Sequence, residues 1–213
     1  MKFIAHRIND PQALEMLSPE YGVELDLRDE GGKLICRHDP FGTGPSFDSI
    51  CQKWRHDIMV LNIKSERIEQ AVLDTLSQYN IKNYFFLDSS MPMVVSLTES
   101  GESSVALRYS EYESIETVLR FTGQADWVWV DVFTNLTLTA QDAMRLKDAG
   151  FKLCLVCPEL QKQPEKRPAY IQYLLKEKIV LDAICCKQHA IDEWKASYLV
   201  EIQTKISDRL PVT

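Results

Sequence analysis

The stretch Gly22-Val23-Glu24-Leu25-Asp26-Leu27-Arg28-Asp29-Glu30-Gly31-Gly32-Lys33-Leu34-Ile35-Cys36-Arg37-His38 decides the fold. Two apolar runs, 22–27 and 34–38, flank a charged segment that contains a Gly-Gly pair, which is turn chemistry. The two runs therefore read as one strand followed by a hairpin-like return. Counted as one unit, they leave eight strand-then-helix units along the chain. The other strand runs are 2–6, 59–63, 84–87, 105–109, 127–132, 152–156 and 183–186. Amphipathic stretches of helical period lie between most of them, at 47–56, 68–79, 92–100, 114–122, 140–148, 168–178 and 191–204. Thr139 is placed to cap helix 140–148 and Gly150 to end it, and Gly101 is placed to end helix 92–100.

Strands alternating with helices imply a parallel sheet with helices outside. Eight such units imply a (β/α)8 TIM-type barrel. At 213 residues this is a compact barrel, since the usual size is about 250 residues. An open doubly wound sheet is the competing α/β fold, but the sequence has no GxGxxG or GxxxxGK[ST] phosphate loop to support it. No composition break or linker divides the chain, so residues 1–213 read as one domain.

Composition narrows the function. Hydrophobic residues make up 45% and charged residues 26%, as in globular domains. No apolar run reaches the roughly 18 to 20 residues of a membrane-spanning helix. The net charge is −7 with no cluster of Lys or Arg, which argues against nucleic acid as a partner. An anionic ligand must then be met by a local basic or metal-charged pocket. The six cysteines suit free thiols in a reducing, cytoplasmic compartment. Cys154 and Cys157 have redox-motif spacing, but on a strand residues three apart point to opposite faces, so both read as wall residues.

In such a barrel the chemistry sits at the C-terminal ends of the strands. Those ends supply His6 and Arg7, then Glu24 and Asp26, then His38 and Asp39, then Asn62 and Lys64. Asp88, Arg108, Ser110, Glu111, Asp131, Cys157, Glu159 and Lys187 follow on later strands. Glu24 and Asp26 are two apart, so both leave one face of their strand, while Val23, Leu25 and Leu27 take the other. Paired carboxylates pointing into a barrel mouth are costly unless hydrogen-bonded, protonated or bound to a cation. Mg²⁺ or Ca²⁺ suits oxygen ligands, with Asn62 as a weaker neutral ligand. His6 and His38 titrate near neutral pH and can serve as proton acceptor and donor. Lys64 either pairs with Glu24 or Asp26 or meets an anionic ligand. Asp88, Arg108 and Asp131 are candidates for binding a polar substrate group, or the two carboxylates simply pair with Arg108 or Lys187. His56 and His189 read as structural or surface residues, and Trp127 and Trp129 as wall packing.

Four motifs in order carry a family resemblance: Ile4-Ala5-His6-Arg7, Val23-Glu24-Leu25-Asp26-Leu27, Leu34-Ile35-Cys36-Arg37-His38-Asp39 and Leu61-Asn62-Ile63-Lys64. Together they resemble the glycerophosphodiester phosphodiesterase family, within the phosphatidylinositol-phospholipase-C-like barrels. The motifs cover about the first 65 residues. The resemblance implies a metal-dependent phosphodiesterase acting on a small-molecule or lipid-derived phosphodiester. It implies His6 and His38 as the acid/base pair. It also implies Glu24 and Asp26 as cation ligands, with Asn62 in the third ligand's position, and Arg7 and Lys64 as phosphate contacts. The sequence departs from the family pattern at four places. Ile8 replaces the Gly of His-Arg-Gly, Asn62 replaces a carboxylate, and Asn9-Asp10-Pro11 replaces Glu-Asn-Thr. The insertion domain after His-Asp is absent. The alternative is a non-catalytic barrel that binds a phosphorylated ligand or a partner protein. A Schiff-base lyase using Lys64 or Lys187 is a third reading, but nothing obvious in the sequence lowers either amine's pKa.

Overall fold

The computed structural model describes residues 1–198. The strands are β1 (Lys2–Ala5), β2 (Gly22–Glu30), β3 (Lys33–Cys36), β4 (Met59–Ile63), β5 (Tyr84–Leu87), β6 (Ala106–Tyr109), β7 (Trp127–Val130), β8 (Lys152–Val156) and β9 (Ala183–Cys186). The helices between them are α1 (Pro11–Met16), α2 (Phe47–Cys51), α3 (Glu69–Gln78), α4 (Met91–Glu99), α5 (Ile115–Leu119), α6 (Ala140–Asp148) and α7 (Arg167–Lys176). Residues 191–198 are also helical, and the rest of the expected 191–204 helix lies outside the described residues.

Eight strands run parallel in the order β5-β4-β2-β1-β9-β8-β7-β6. A single parallel bridge, Phe86 to Val105, links β5 to β6 and nearly closes the ring. This is the expected compact (β/α)8 barrel. The ninth strand, β3, pairs antiparallel with β2 from Leu27↔Cys36 to Glu30↔Lys33. Gly31 and Gly32 make its turn at φ +55° and +78°, left-handed values that glycine adopts without a Cβ clash.

Period-2 alternation sorts the side chains. Val23, Leu25 and Leu27 face outward and pack under the helices with Leu14, Phe47, Ile50 and Val72. Ile4, Val60, Phe85, Leu87, Trp127, Trp129, Cys154 and Val156 fill the barrel interior. Full burial of each large apolar side chain is worth about 2 kcal/mol. Phe85 stacks on Trp127 with ring centroids 4.6 Å apart, so the two tryptophans are packing residues, as expected. Cys154 sits in the inner cluster and Cys157 in the outer one, and all six cysteines are buried and free. Gly22 is needed for close packing. A Cβ there would meet Ile58 Cγ2 at 2.6 Å, and the Ile58 carbonyl accepts the amide of Val23.

Local signals set the helix ends. Thr139 accepts the amide of Asp142, and Asp10, Ser46 and Ser114 cap α1, α2 and α5 in the same way. Several helices are shorter than their apolar pattern: α2 stops at Cys51 instead of residue 56, and α5 covers only Ile115–Leu119. Helix α1 was not expected, because its six residues are too short to show a helical period.

Candidate functional site

A cavity of about 210 Å³ opens at the C-terminal end of the barrel, with His6, Arg7, Glu24, Asn62, Lys64, Asp88, Arg108 and Asp131 in its wall. Strand β1 delivers His6, whose amide bonds the carbonyl of Cys186 on β9 at 2.9 Å. Arg7 then turns left-handed at φ 57°, a conformation that costs a non-glycine residue about 1 kcal/mol. The turn aims the Arg7 amide at Glu24 Oε2, at 2.7 Å. Ile8 keeps an ordinary φ and is buried. Its amide bonds the Glu24 carbonyl at 3.0 Å.

Glu24 is fully buried. It accepts from the Arg7 amide and from Asn62 Nδ2, the latter at 2.8 Å. Burial, followed by the charge of Asp26, pushes its carboxyl up to about 7. Asp26 is also fully buried. Its Oδ2 accepts from Asn9 Nδ2 at 2.8 Å, and Asn9 Oδ1 accepts the Asp26 amide in return. Arg7 Nε lies 3.7 Å from Asp26 Oδ2, and Lys64 Nζ lies 3.9 Å from Oδ1. Asn9 was not among the expected site residues. The sequence marked it only as part of the Asn9-Asp10-Pro11 stretch that departs from the resembled pattern.

His6 Nε2 stands 3.7 Å from Glu24 Oε2. Burial lowers the imidazole pKa to about 3, helped by the positive charges of Arg7, His38, Lys64 and Lys187. His6 is therefore neutral at physiological pH. His38 is placed differently. Strand β3 ends at Cys36, so His38 lies in the following loop, half-exposed, with Nδ1 2.8 Å from Asp39 Oδ1. It is near enough to perturb His6 but does not line the cavity. Its carbonyl is held by Arg28 through Nε and Nη2.

The far wall is built from ion pairs. Arg108 on β6 bridges Asp88 and Asp131, with Nε 3.6 Å from Glu113 Oε1. Asp88 also accepts from Lys64 at 3.2 Å, and Gln161 Nε2 donates to Asp131 Oδ1 at 2.9 Å. Gln161 lies on a short 3-10 turn and had no sequence signal. Glu159 is buried against Arg167 and the Trp194 indole, so it supports the fold and not the cavity. Glu111 accepts the amides of Thr134 and Asn135 and shapes the loop after β7. His56 bonds the Leu14 carbonyl, a structural role.

Among the described residues, no group of three or more His, Cys, Asp or Glu side chains surrounds a common point. The donor chemistry nevertheless suits a hard cation. Among the described residues, Asp26 Oδ1 and Asn62 Oδ1 are buried oxygens with no hydrogen-bond partner, and Glu24 completes an all-oxygen set with at most two negative charges. These three residues offer the oxygen donors that a divalent cation takes.

No protein-family model matches the sequence, and no curated protein matches it. Solved structures do match in fold. A glycerophosphodiester phosphodiesterase from Agrobacterium tumefaciens aligns at TM-score 0.63 and 13% identity, covering 88% of this chain and 97% of that one. The enzyme of that name from Thermotoga maritima aligns at 0.59 and 17% identity, covering 94% and 97%. A glycerophosphoryl diester phosphodiesterase from Parabacteroides distasonis aligns at 0.60 and 12%, covering 100% and 88%. The chain therefore shares the barrel fold of these enzymes at low sequence identity. Among the described residues, no helix is long and apolar enough to cross a membrane.

Proposed function

We propose that this protein, as a single barrel domain of residues 1–213, is a divergent glycerophosphodiester phosphodiesterase. It hydrolyses a small or lipid-derived phosphodiester in the cytoplasm by acid–base catalysis between two histidines. One observation carries this reading: His6, Arg7, Glu24, Asn62 and Lys64 line a single cavity at the C-terminal mouth of the barrel.

In this reading Arg7 and Lys64 hold the phosphoryl oxygens, with Arg108 on the opposite wall. His6, whose imidazole is neutral, is assigned the proton acceptor's role toward water or a neighbouring substrate hydroxyl because it lines the cavity and His38 does not. Glu24 orients that ring from 3.7 Å. His38, paired with Asp39, donates the proton to the leaving alkoxide. Glu24, Asp26 and Asn62 would hold Mg²⁺ or Ca²⁺, which when bound supplies positive charge for the phosphoryl oxygens. Asp88 and Asp131 keep Arg108 in position.

The test is hydrolysis of glycerophosphodiesters and a chromogenic phosphodiester with Mg²⁺, Ca²⁺, Mn²⁺ or EDTA, for wild type, His6→Ala and His38→Ala. Metal-dependent turnover lost in both variants is the expected result. Asn62, in place of a carboxylate, favours the second reading, a non-catalytic barrel that binds a phosphorylated ligand. Absence of turnover with every metal, together with measurable binding of a phosphomonoester, would decide for it.

A further inference from the structure

Strands β3 and β4 flank β2, but they hold their site residues in different ways. The β2–β4 ladder runs to Leu27↔Ile63, and the Lys64 amide then bonds the Leu27 carbonyl at 2.9 Å. Lys64 is thus fixed by its own strand. The β2–β3 ladder ends at Leu27↔Cys36. The Arg37 amide still bonds the Asp26 carbonyl at 2.8 Å, and from there the chain leaves the sheet as the 37–45 loop. The next carbonyl, that of His38, is taken by a side chain from β2. Arg28 Nε and Nη2 donate to it at 3.0 and 2.8 Å, and Nη1 donates to the Lys64 carbonyl at 2.8 Å. One half-buried guanidinium therefore joins the backbones of two residues on opposite sides of β2.

We infer that Arg28 is a positioning residue, which sets the distance of the His38 imidazole from the phosphate held by Lys64. The inference rests on the phosphodiesterase reading and adds to it a residue outside the cavity wall. Within the loop, a second arginine sets the shape. Arg37 Nε donates to the Asp39 carbonyl at 3.0 Å and Nη1 to the Thr43 carbonyl at 2.7 Å. Gly42 lies against this guanidinium, where a Cβ would meet Arg37 Cζ at 2.5 Å. At the loop's base the Cys36 amide bonds the Pro45 carbonyl at 2.8 Å. The loop is thus a braced unit, and Arg28 ties it to β4 at the residue that carries the imidazole. If the tie is cut, Lys64 keeps its bond to Leu27, whereas His38 loses its hold. The tie also demands arginine. A planar fork meets two carbonyls from fixed directions, whereas a lysine ammonium is a point donor.

The test uses Arg28→Lys, which keeps the charge and removes the fork, on the ethyl and 4-nitrophenyl diesters of glycerol phosphate with Mg²⁺, Ca²⁺ or Mn²⁺. The ethoxide leaving group needs a proton from His38, and nitrophenolate does not. A misplacement of about 1 Å costs about 10²-fold, so kcat on the ethyl ester should fall by about that factor, with KM unchanged and the nitrophenyl ester within about twofold of wild type. Arg28→Gln, which drops the charge as well, should show the same split. In the His38→Ala background, Arg28→Lys should cost nothing further on the ethyl ester, because the group it positions is gone. An equal loss on both esters overturns the inference, since the effect then runs through Lys64 or the fold. So does a loss in the His38→Ala background as large as in wild type, or wild-type kcat on the ethyl ester in Arg28→Lys. Each of these leaves the phosphodiesterase reading intact. No turnover of either ester by wild type with any of the three metals overturns both.

Discussion

The two sides of the mouth handle charge in different ways. On the arc formed by β1, β2 and β4, Glu24 and Asp26 are buried and held mostly by amides: the Arg7 backbone, Asn62 and Asn9. Among the described residues their nearest cations stand at 3.7 Å or more, and Asp26 Oδ1 has no hydrogen-bond partner. On the arc formed by β5, β6 and β7, Arg108 closes directly on Asp88 and Asp131, and Gln161 adds a further bond. The first arc is under-satisfied, and the second is saturated. Under-satisfied buried oxygens are costly in isolation, so they mark where an added cation or substrate gains most. Saturated ion pairs fix geometry and resist change.

The largest expected break of this contrast is His6→Ala, which should lower kcat by about 10² to 10⁴-fold, the range for losing a positioned acid or base. His38→Ala should cost less on substrates whose leaving group needs no proton, such as a nitrophenyl ester, because His38 lies outside the cavity wall. Parallel kinetics on nitrophenyl and alkyl esters measure that split. On the saturated arc, Arg108→Met leaves Asp131 buried without its cation. Truncating one member of a buried pair typically costs about 3 to 5 kcal/mol, and the partial exposure of Arg108 places this one near the lower end. Urea unfolding should show it with or without divalent metal. Asp26→Asn on the open arc should behave oppositely. It should change urea stability by under about 1 kcal/mol without metal, while abolishing stabilisation by added Mg²⁺ or Ca²⁺.

Two smaller effects sharpen the same comparison. In EDTA, the His6 ring should remain neutral well below the usual imidazole value of 6.5, since its pKa is lowered to about 3. The unfolded chain takes up that proton first, so this histidine's contribution to stability is complete above pH 6.5. It is lost as the pH falls from 6.5 toward 3. Imidazole NMR titration of wild type against His6→Gln measures the shift. The six buried thiols should react with a thiol reagent only as the protein unfolds. Burial pushes Cys51 up to about 12, and Cys36, Cys154, Cys157 and Cys185 also upward.

Much of the barrel was readable because strand and helix periods differ. The facing of Glu24, Asp26, Asn62 and Lys64 followed from alternation alone. The hairpin return was readable from Gly31 and Gly32. Its end was not: apolar residues suggest pairing to residue 38, but the ladder stops at Cys36, and no local signal marks where a return strand leaves its partner. That two-residue difference moves His38 from a strand end to a loop. Pairing of Asp88 and Asp131 with Arg108 was one of the open alternatives, and the contact with Glu113 had no signal. Asp88, Glu113 and Asp131 are all within reach in space, and only the fold decides that the arginine bridges two of them. The nearly open β5–β6 wall could not be read either, because closure depends on the accumulated tilt of all eight strands.

The stacked Phe85–Trp127 pair, with Trp129 beside it, occupies the barrel interior below the mouth. The barrel is thus a cup and not a tube. Anything that enters from the mouth must leave at the mouth end, and on the phosphodiesterase reading the same holds for both fragments of the diester. Arrival and departure then share one doorway.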